Sequence, residues 1–127
     1  MKYILAHDLG TSGNKATLFS EEGSLVASVT QHYPVYYSNG NWAEQDPNDW
    51  WNAVVESTQQ LVTHVDPADI AAVSFSGQMM GCLCVDREGK PLRPSIIWAD
   101  QRAQQEAEEI EKAISQWEYY KITGHRN

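Results

Sequence analysis

Ile4-Leu5-Ala6-His7-Asp8-Leu9-Gly10-Thr11-Ser12-Gly13-Asn14-Lys15-Ala16-Thr17-Leu18-Phe19 reads as two strands joined by a tight turn. Ile4 to Ala6 is a short apolar run leading to Asp8, and Ala16 to Phe19 is a second run rich in β-formers. Gly10 and Gly13 bracket the turn, where glycine permits positive φ and lets backbone N–H groups face an anion with no Cβ in the way. Thr11 and Ser12 add hydroxyl donors, Lys15 adds a cation, and Asp8 adds a carboxylate able to hold Mg²⁺ through its water shell. That donor set suits a magnesium-bound nucleotide. Taken alone, the same residues also describe a plain hairpin, because a short glycine-rich motif has little specificity outside its context.

Outward from this stretch, 127 residues predict one domain with a core. The chain is 42% hydrophobic and 20% charged, and it contains no apolar run long enough to span a bilayer. Met1-Lys2-Tyr3 runs straight into the first strand without signal-peptide architecture, which predicts a cytoplasmic protein. The net charge of -8, from 17 acidic and nine basic residues, argues against a nucleic-acid or anionic-membrane partner. It also means that any phosphate site must be local, built from backbone donors and one or two cations. The four histidines are scattered, with no metal-ligand spacing. Cys82 and Cys84, two apart on a predicted strand, read as small buried hydrophobes rather than as a disulfide.

Further along, Glu21-Glu22-Gly23 makes a turn, and Ser24 to His32 alternates as a half-buried antiparallel strand. Pro34 to Asn41 reads as a loop. Asp46 as N-cap, Pro47 at the first helical position and Asp49 in the first turn predict a helix through about His64, with Trp50 and Trp51 in the core. Ile70 to Ser76 reads as a buried strand that breaks into the turn Ser76-Gly77-Gln78-Met79-Met80-Gly81. Open α/β sheets place ligands outside the carboxyl ends of their strands, and the Gln78 amide can both donate to and accept from the polar groups of a ligand. A second, well-covered hairpin is predicted over Cys82–Asp86 and Leu92–Trp98, followed by one helix carrying Ala103, Ala107, Ile110, Ile114 and Trp117 on a single face. Asp100 is predicted as the N-cap of that helix.

Asp8-Leu9-Gly10-Thr11-Ser12-Gly13-Asn14-Lys15 resembles the first phosphate motif of the actin-like ATPase superfamily, and within it the FGGY carbohydrate kinases. Two later stretches extend the resemblance in order: Gly77-Gln78-Met79-Met80-Gly81 and Trp98-Ala99-Asp100-Gln101-Arg102. The resemblance implies an α/β domain of actin-like (RNase H-like) fold, with a mixed sheet, three N-terminal antiparallel strands and flanking helices. FGGY kinases are much longer, so residues 1–127 are expected to be the N-terminal part of a first, sugar-binding domain. The ATP-binding C-terminal domain and the catalytic aspartate are expected to lie beyond Asn127, leaving these residues alone without kinase activity.

The activity implied is transfer of the ATP γ-phosphoryl group to a sugar hydroxyl, with ATP and Mg²⁺ as cofactors and a small sugar as substrate. Asp8 would act through Mg²⁺, while Gly10, Thr11, Ser12, Gly13 and Lys15 would serve the phosphates. Gln78, Met79, Met80, Asp100 and Arg102 would form the sugar site, with Trp42 or Glu44 at its border. Xylulokinase-like members read Gly-Gln-Met-His-Gly at the second motif, so Met80 stands here where they carry histidine. Glycerol kinases carry an Arg-Glu pair at that place, which this chain lacks. The implied acceptor is a ketopentose such as D-xylulose. Trp98-Ala99-Asp100-x-Arg102 also suits gluconokinases, and a non-catalytic actin-like module that binds nucleotide or a partner protein is a further reading. An RNase H-type nuclease would use Asp8 and Asp100 but lacks a basic face for its substrate. The incomplete sheet is expected to leave apolar surface exposed and to promote homodimers or wider self-association.

Overall fold

A computed structural model describes residues 1–127. In chain order its elements are β1 (Tyr3–Leu9), β2 (Gly13–Ser20), β3 (Leu25–His32), β4 (Tyr36–Ser38), β5 (Trp42–Gln45), α1 (Pro47–Leu61), β6 (Ile70–Gly77), β7 (Ser95–Ile96), α2 (Gln104–Ala113) and α3 (Gln116–Thr123). The main sheet has the order β3-β2-β1-β6, in which the first three strands form an antiparallel meander and β6 lies parallel to β1. A small second sheet has the order β4-β5-β7.

Helix α1 starts where its capping residues place it. The Asp46 side chain accepts from the Asn48 N–H at 2.9 Å, and Pro47 needs no donor at the first turn. The helix packs over β2 and β3, closing a core of Leu5, Ala16, Leu18 and Leu61. Its buried face is Ala53, Val54, Ser57 and Leu61, narrower than the apolar residues alone predict. Small Ala53 and Ser57 let the helix lie close to the sheet. Trp51, expected in the core, is 64% exposed, and Trp50 is half-buried.

Four other expectations are corrected. Part of the Pro34–Asn41 loop is β4, which pairs with β5 through Tyr36–Glu44, Tyr37–Ala43 and Ser38–Trp42. The strand at Ile70–Gly77 is exposed rather than buried, because β6 is the sheet edge and α1 does not reach it; Val73 and Phe75 are 52% and 57% exposed. The second hairpin is reduced to bridges at Cys82–Ile96 and Val85–Pro91, with Ser95–Ile96 joining β5 instead. Pro91 and Pro94 remove two ladder donors there. Cys82 and Cys84 are accordingly free and exposed.

The last predicted helix is two. Ile114 is extended (φ -143°, ψ 137°), and Ser115 starts α3 with a reciprocal capping box to Glu118. Asp100 does not cap α2, whose first flanking residue, Ala103, offers no side-chain cap.

Candidate functional site

The Gly10–Gly13 turn closes on itself, with the Gly10 N–H donating to the Gly13 carbonyl at 3.0 Å. Neither glycine has positive φ, contrary to the expectation from sequence. Gly13 is needed for a different reason: a Cβ there would meet the Gln31 carbonyl oxygen of β3 at 2.6 Å. The amides of Thr11 and Ser12 donate to no other group of the chain. The turn is braced from outside, where the Tyr33 hydroxyl donates to the Gly10 carbonyl at 2.6 Å and His32 Nδ1 lies 3.1 Å from the Ser12 carbonyl. Burial, helped by the nearby charge of Asp8, pushes the Tyr33 hydroxyl up to about 12, so it stays a donor.

Asp8 and Lys15 are cross-strand partners on the exposed face of β1 and β2. Asp8 accepts from the Ser76 hydroxyl at 3.2 Å, and Lys15 takes part in no ion pair. A carboxylate, a free ammonium and two free amides thus sit around one turn.

Parallel pairing of β1 with β6 brings the second motif beside the first. The Gln78 N–H donates to the Leu9 carbonyl at 2.9 Å. The Thr11 hydroxyl lies 3.4 Å from Gln78 Oε1, and the Trp98 indole N–H donates to that hydroxyl at 2.9 Å. Gln78 and Met80 line a cavity of about 300 Å³ with Trp50, Gly81, Leu83, Ser95 and Ile97. Met80 holds φ 60°, a left-handed backbone that is uncommon outside glycine. Met79 is 70% exposed and lies outside this cavity.

Asp100 and Arg102, between β7 and α2, form a separate cluster against β5. Asp100 Oδ2 accepts from the Ala43 N–H and from Arg102 Nη2, both at 2.7 Å, while Oδ1 accepts from the Arg102 backbone and Nε. Arg102 also donates to Glu44 at 2.8 Å and lies over the Trp42 ring at 3.8 Å. Arg93 donates to the same Glu44 oxygen. The Arg102 guanidinium, aided by the two backbone N–H groups, holds the Asp100 carboxyl well below the usual carboxylate range. Both Asp100 oxygens are therefore engaged within the chain, and this pair locks the Trp98–Arg102 segment to β5.

Residue types and motifs alone did not reveal two groups. The first is Gln45, which is fully buried and bonded to Thr11, Pro34, Trp50 and Gln78. The second is a polar cluster under the turn, where Asn14 Nδ2 reaches His7 Nδ1 at 3.0 Å and Ser57 Oγ at 2.9 Å. His7 stacks on Phe75 with ring centroids 5.1 Å apart, and burial lowers its pKa. Alternation along β1 and β2 signals that His7 and Asn14 share the inward face with Leu5 and Ala16. Gln45 gives a weaker signal, since β5 is only four residues long.

A three-strand antiparallel meander, a parallel fourth strand and a glycine turn at the strand ends define an α/β domain of the actin-like ATPase fold. The chain belongs to the FGGY family of carbohydrate kinases, whose N-terminal domain matches residues 3–126. It is 38% identical to a xylulose kinase of Staphylococcus xylosus over 114 residues, covering 90% of this chain and 24% of that protein. It is 40% identical to a glycerol kinase of Acaryochloris marina over 103 residues, 79% of this chain and 20% of that protein. The crystal structure of gluconate kinase from Lactobacillus acidophilus superposes with a TM-score of 0.87 at 32% identity, over 94% of this chain and 24% of that one. The chain thus spans about a quarter of the length of such relatives.

Proposed function

We propose that this domain supplies the phosphate turn and part of the sugar pocket of an ATP-dependent sugar kinase, with a ketopentose such as D-xylulose as acceptor. The observation that carries the reading is the direct approach of the two turns, with the Thr11 hydroxyl 3.4 Å from the Gln78 amide. One turn offers groups suited to phosphate and the other groups suited to a polyol, so donor and acceptor would meet at one sheet end.

The turn fits a phosphate because the Thr11 and Ser12 amides and the Lys15 ammonium are all free to receive one. Gly10 and Gly13 would contribute by keeping the turn close and uncluttered. No cluster of three or more metal-ligating side chains exists in the chain. Mg²⁺ would be held by one carboxylate, Asp8, through water and by the phosphates. Bound Mg²⁺ would supply charge neutralisation for the transferred group. Lys15 would add to this, and the remaining contribution of this domain would be positioning.

Relatives named for xylulose, gluconate and glycerol share this domain, so the acceptor is argued from the pocket. Gly77-Gln78-Met79 supports a ketopentose. Gln78 would hydrogen-bond a hydroxyl, Met80 would close the apolar side of the cavity, and Met79 would flank it. Gluconate is the second reading, favoured by the Trp98-Ala99-Asp100-Gln101-Arg102 segment. In either case Asp100 and Arg102 would border the sugar as a locked pair. The full reading frame that carries this domain should release ADP from ATP·Mg²⁺ with D-xylulose. Preferred turnover of D-gluconate would shift the assignment to the second reading, and turnover of neither would remove the sugar assignment.

A further inference from the structure

Gln45 joins the two turns, and its amide has no bonding capacity to spare. Its side chain lies in the interior, 0% exposed, at the end of β5 where that strand pairs with β7. Nε2 donates to the Thr11 carbonyl at 2.7 Å and to the Pro34 carbonyl at 3.2 Å. Oε1 accepts from the Trp50 indole at 3.2 Å and from Gln78 Nε2 at 2.6 Å.

The direction of each bond is dictated by chemistry. An indole N–H can only donate and a backbone carbonyl can only accept, so the Gln45 amide has one permitted orientation. With Oε1 presented toward the second turn, Gln78 must offer its NH₂ group there and aim Oε1 at the Thr11 hydroxyl. That hydroxyl accepts from the Trp98 indole, which again can only donate, and so gives its own proton to Gln78. Donation therefore runs from Trp98 through Thr11 and Gln78 to Gln45 Oε1, which also accepts from Trp50. One N–H and one lone pair of Gln78 remain for a ligand, each with a defined direction.

We infer that Gln45 is a positioning residue: it sets the orientation and amide polarity of Gln78 and ties that group to the phosphate turn through the Thr11 carbonyl. It touches neither substrate, and the inference rests on Gln78 contacting the sugar as proposed above. A buried amide that lost these partners would leave Gln78 free to rotate or flip, weakening sugar binding selectively.

The test is steady-state kinetics of the full reading frame with ATP·Mg²⁺ and D-xylulose, or whichever acceptor it turns over, using Gln45→Met, Gln78→Ala and the double variant. Methionine keeps the volume of Gln45 and replaces its amide with a thioether that cannot donate and accepts only weakly. Gln45→Met should raise KM for the sugar about tenfold and change KM for ATP less than about twofold. In the Gln78→Ala background the same substitution should add almost nothing, because its effect passes through Gln78. If Gln45→Met fails to fold, Trp50→Phe removes the indole donor to Gln45 together with some cavity wall, since Trp50 also lines the cavity, so its expected rise in sugar KM of about threefold supports the inference only where Gln78→Ala abolishes it. Unchanged sugar KM in a folded variant, or full additivity with Gln78→Ala, overturns the inference while leaving the kinase reading intact. A Gln78→Ala enzyme with normal sugar KM overturns the sugar role of Gln78 and this inference with it.

Discussion

At the residue scale, the polar groups beneath the Gly10–Gly13 turn give the domain a pH dependence of its own. His7 is 2% exposed, and burial lowers its pKa despite the Asn14 hydrogen bond that acts the other way. A histidine depressed in the folded state contributes stability present above its unfolded pKa near about 6.5 and lost as the pH falls through the folded value. Urea midpoints should therefore decline below about pH 6.5, with a slope of at most about 1.4 kcal/mol per pH unit from this group. A His7→Gln variant should lose that part of the slope, and an unchanged profile would contradict the assignment. The proposed site residues Asp8, Lys15 and Gln78 were readable because each sits in a motif. Their supports were not. Gln45 and Tyr33 act through contacts between distant segments, and no local pattern encodes that the Tyr33 hydroxyl meets Gly10 or that Gln45 meets Gln78.

At the scale of elements, capping chemistry and alternation predicted the meander, α1 and the strand before Gln78 within a few residues. Asp46 is the clearest case. Asp46→Ala should lower stability by about 1 kcal/mol, read as a shift in urea midpoint at constant slope. A null effect would mean that α1 is held by its packing alone. Prediction from sequence failed where an element depends on neighbours. The Cys82–Trp98 stretch has the apolar content of a hairpin, yet its prolines and the competing partner β5 leave it as bridges. The break between α2 and α3 was legible in Ser115-Gln116-Trp117-Glu118, a capping-box pattern obscured by the continuous apolar spacing around it. Asp100 has the residue type of an N-cap, but an arginine two positions on offers a charge-assisted partner, and the ion pair wins.

At the scale of the whole molecule, the main sheet is only partly covered. On the α1 side Val73 and Phe75 extend past the helix, and on the other face Ile4 is 43% exposed. The β6 edge adds unpaired backbone groups to this apolar surface. Residues 1–127 expressed by themselves should therefore self-associate, with sedimentation velocity showing a mass that rises with concentration. Val73→Lys with Phe75→Lys should restore a monomer. A wild-type monomer at every concentration would show that these faces are tolerated by water. No helix is long and apolar enough to cross a membrane. ADP release by the full reading frame would be measured with ATP·Mg²⁺ against D-xylulose, L-xylulose, D-ribulose, D-gluconate and glycerol, beside an Asp8→Ala variant. A ketopentose kinase of this design should turn over D-xylulose above the others and lose about a hundredfold or more in the variant, as expected when a phosphoryl-stabilising group is lost. Nucleotide binding with no sugar-dependent ADP release, or full activity in Asp8→Ala, would contradict this reading.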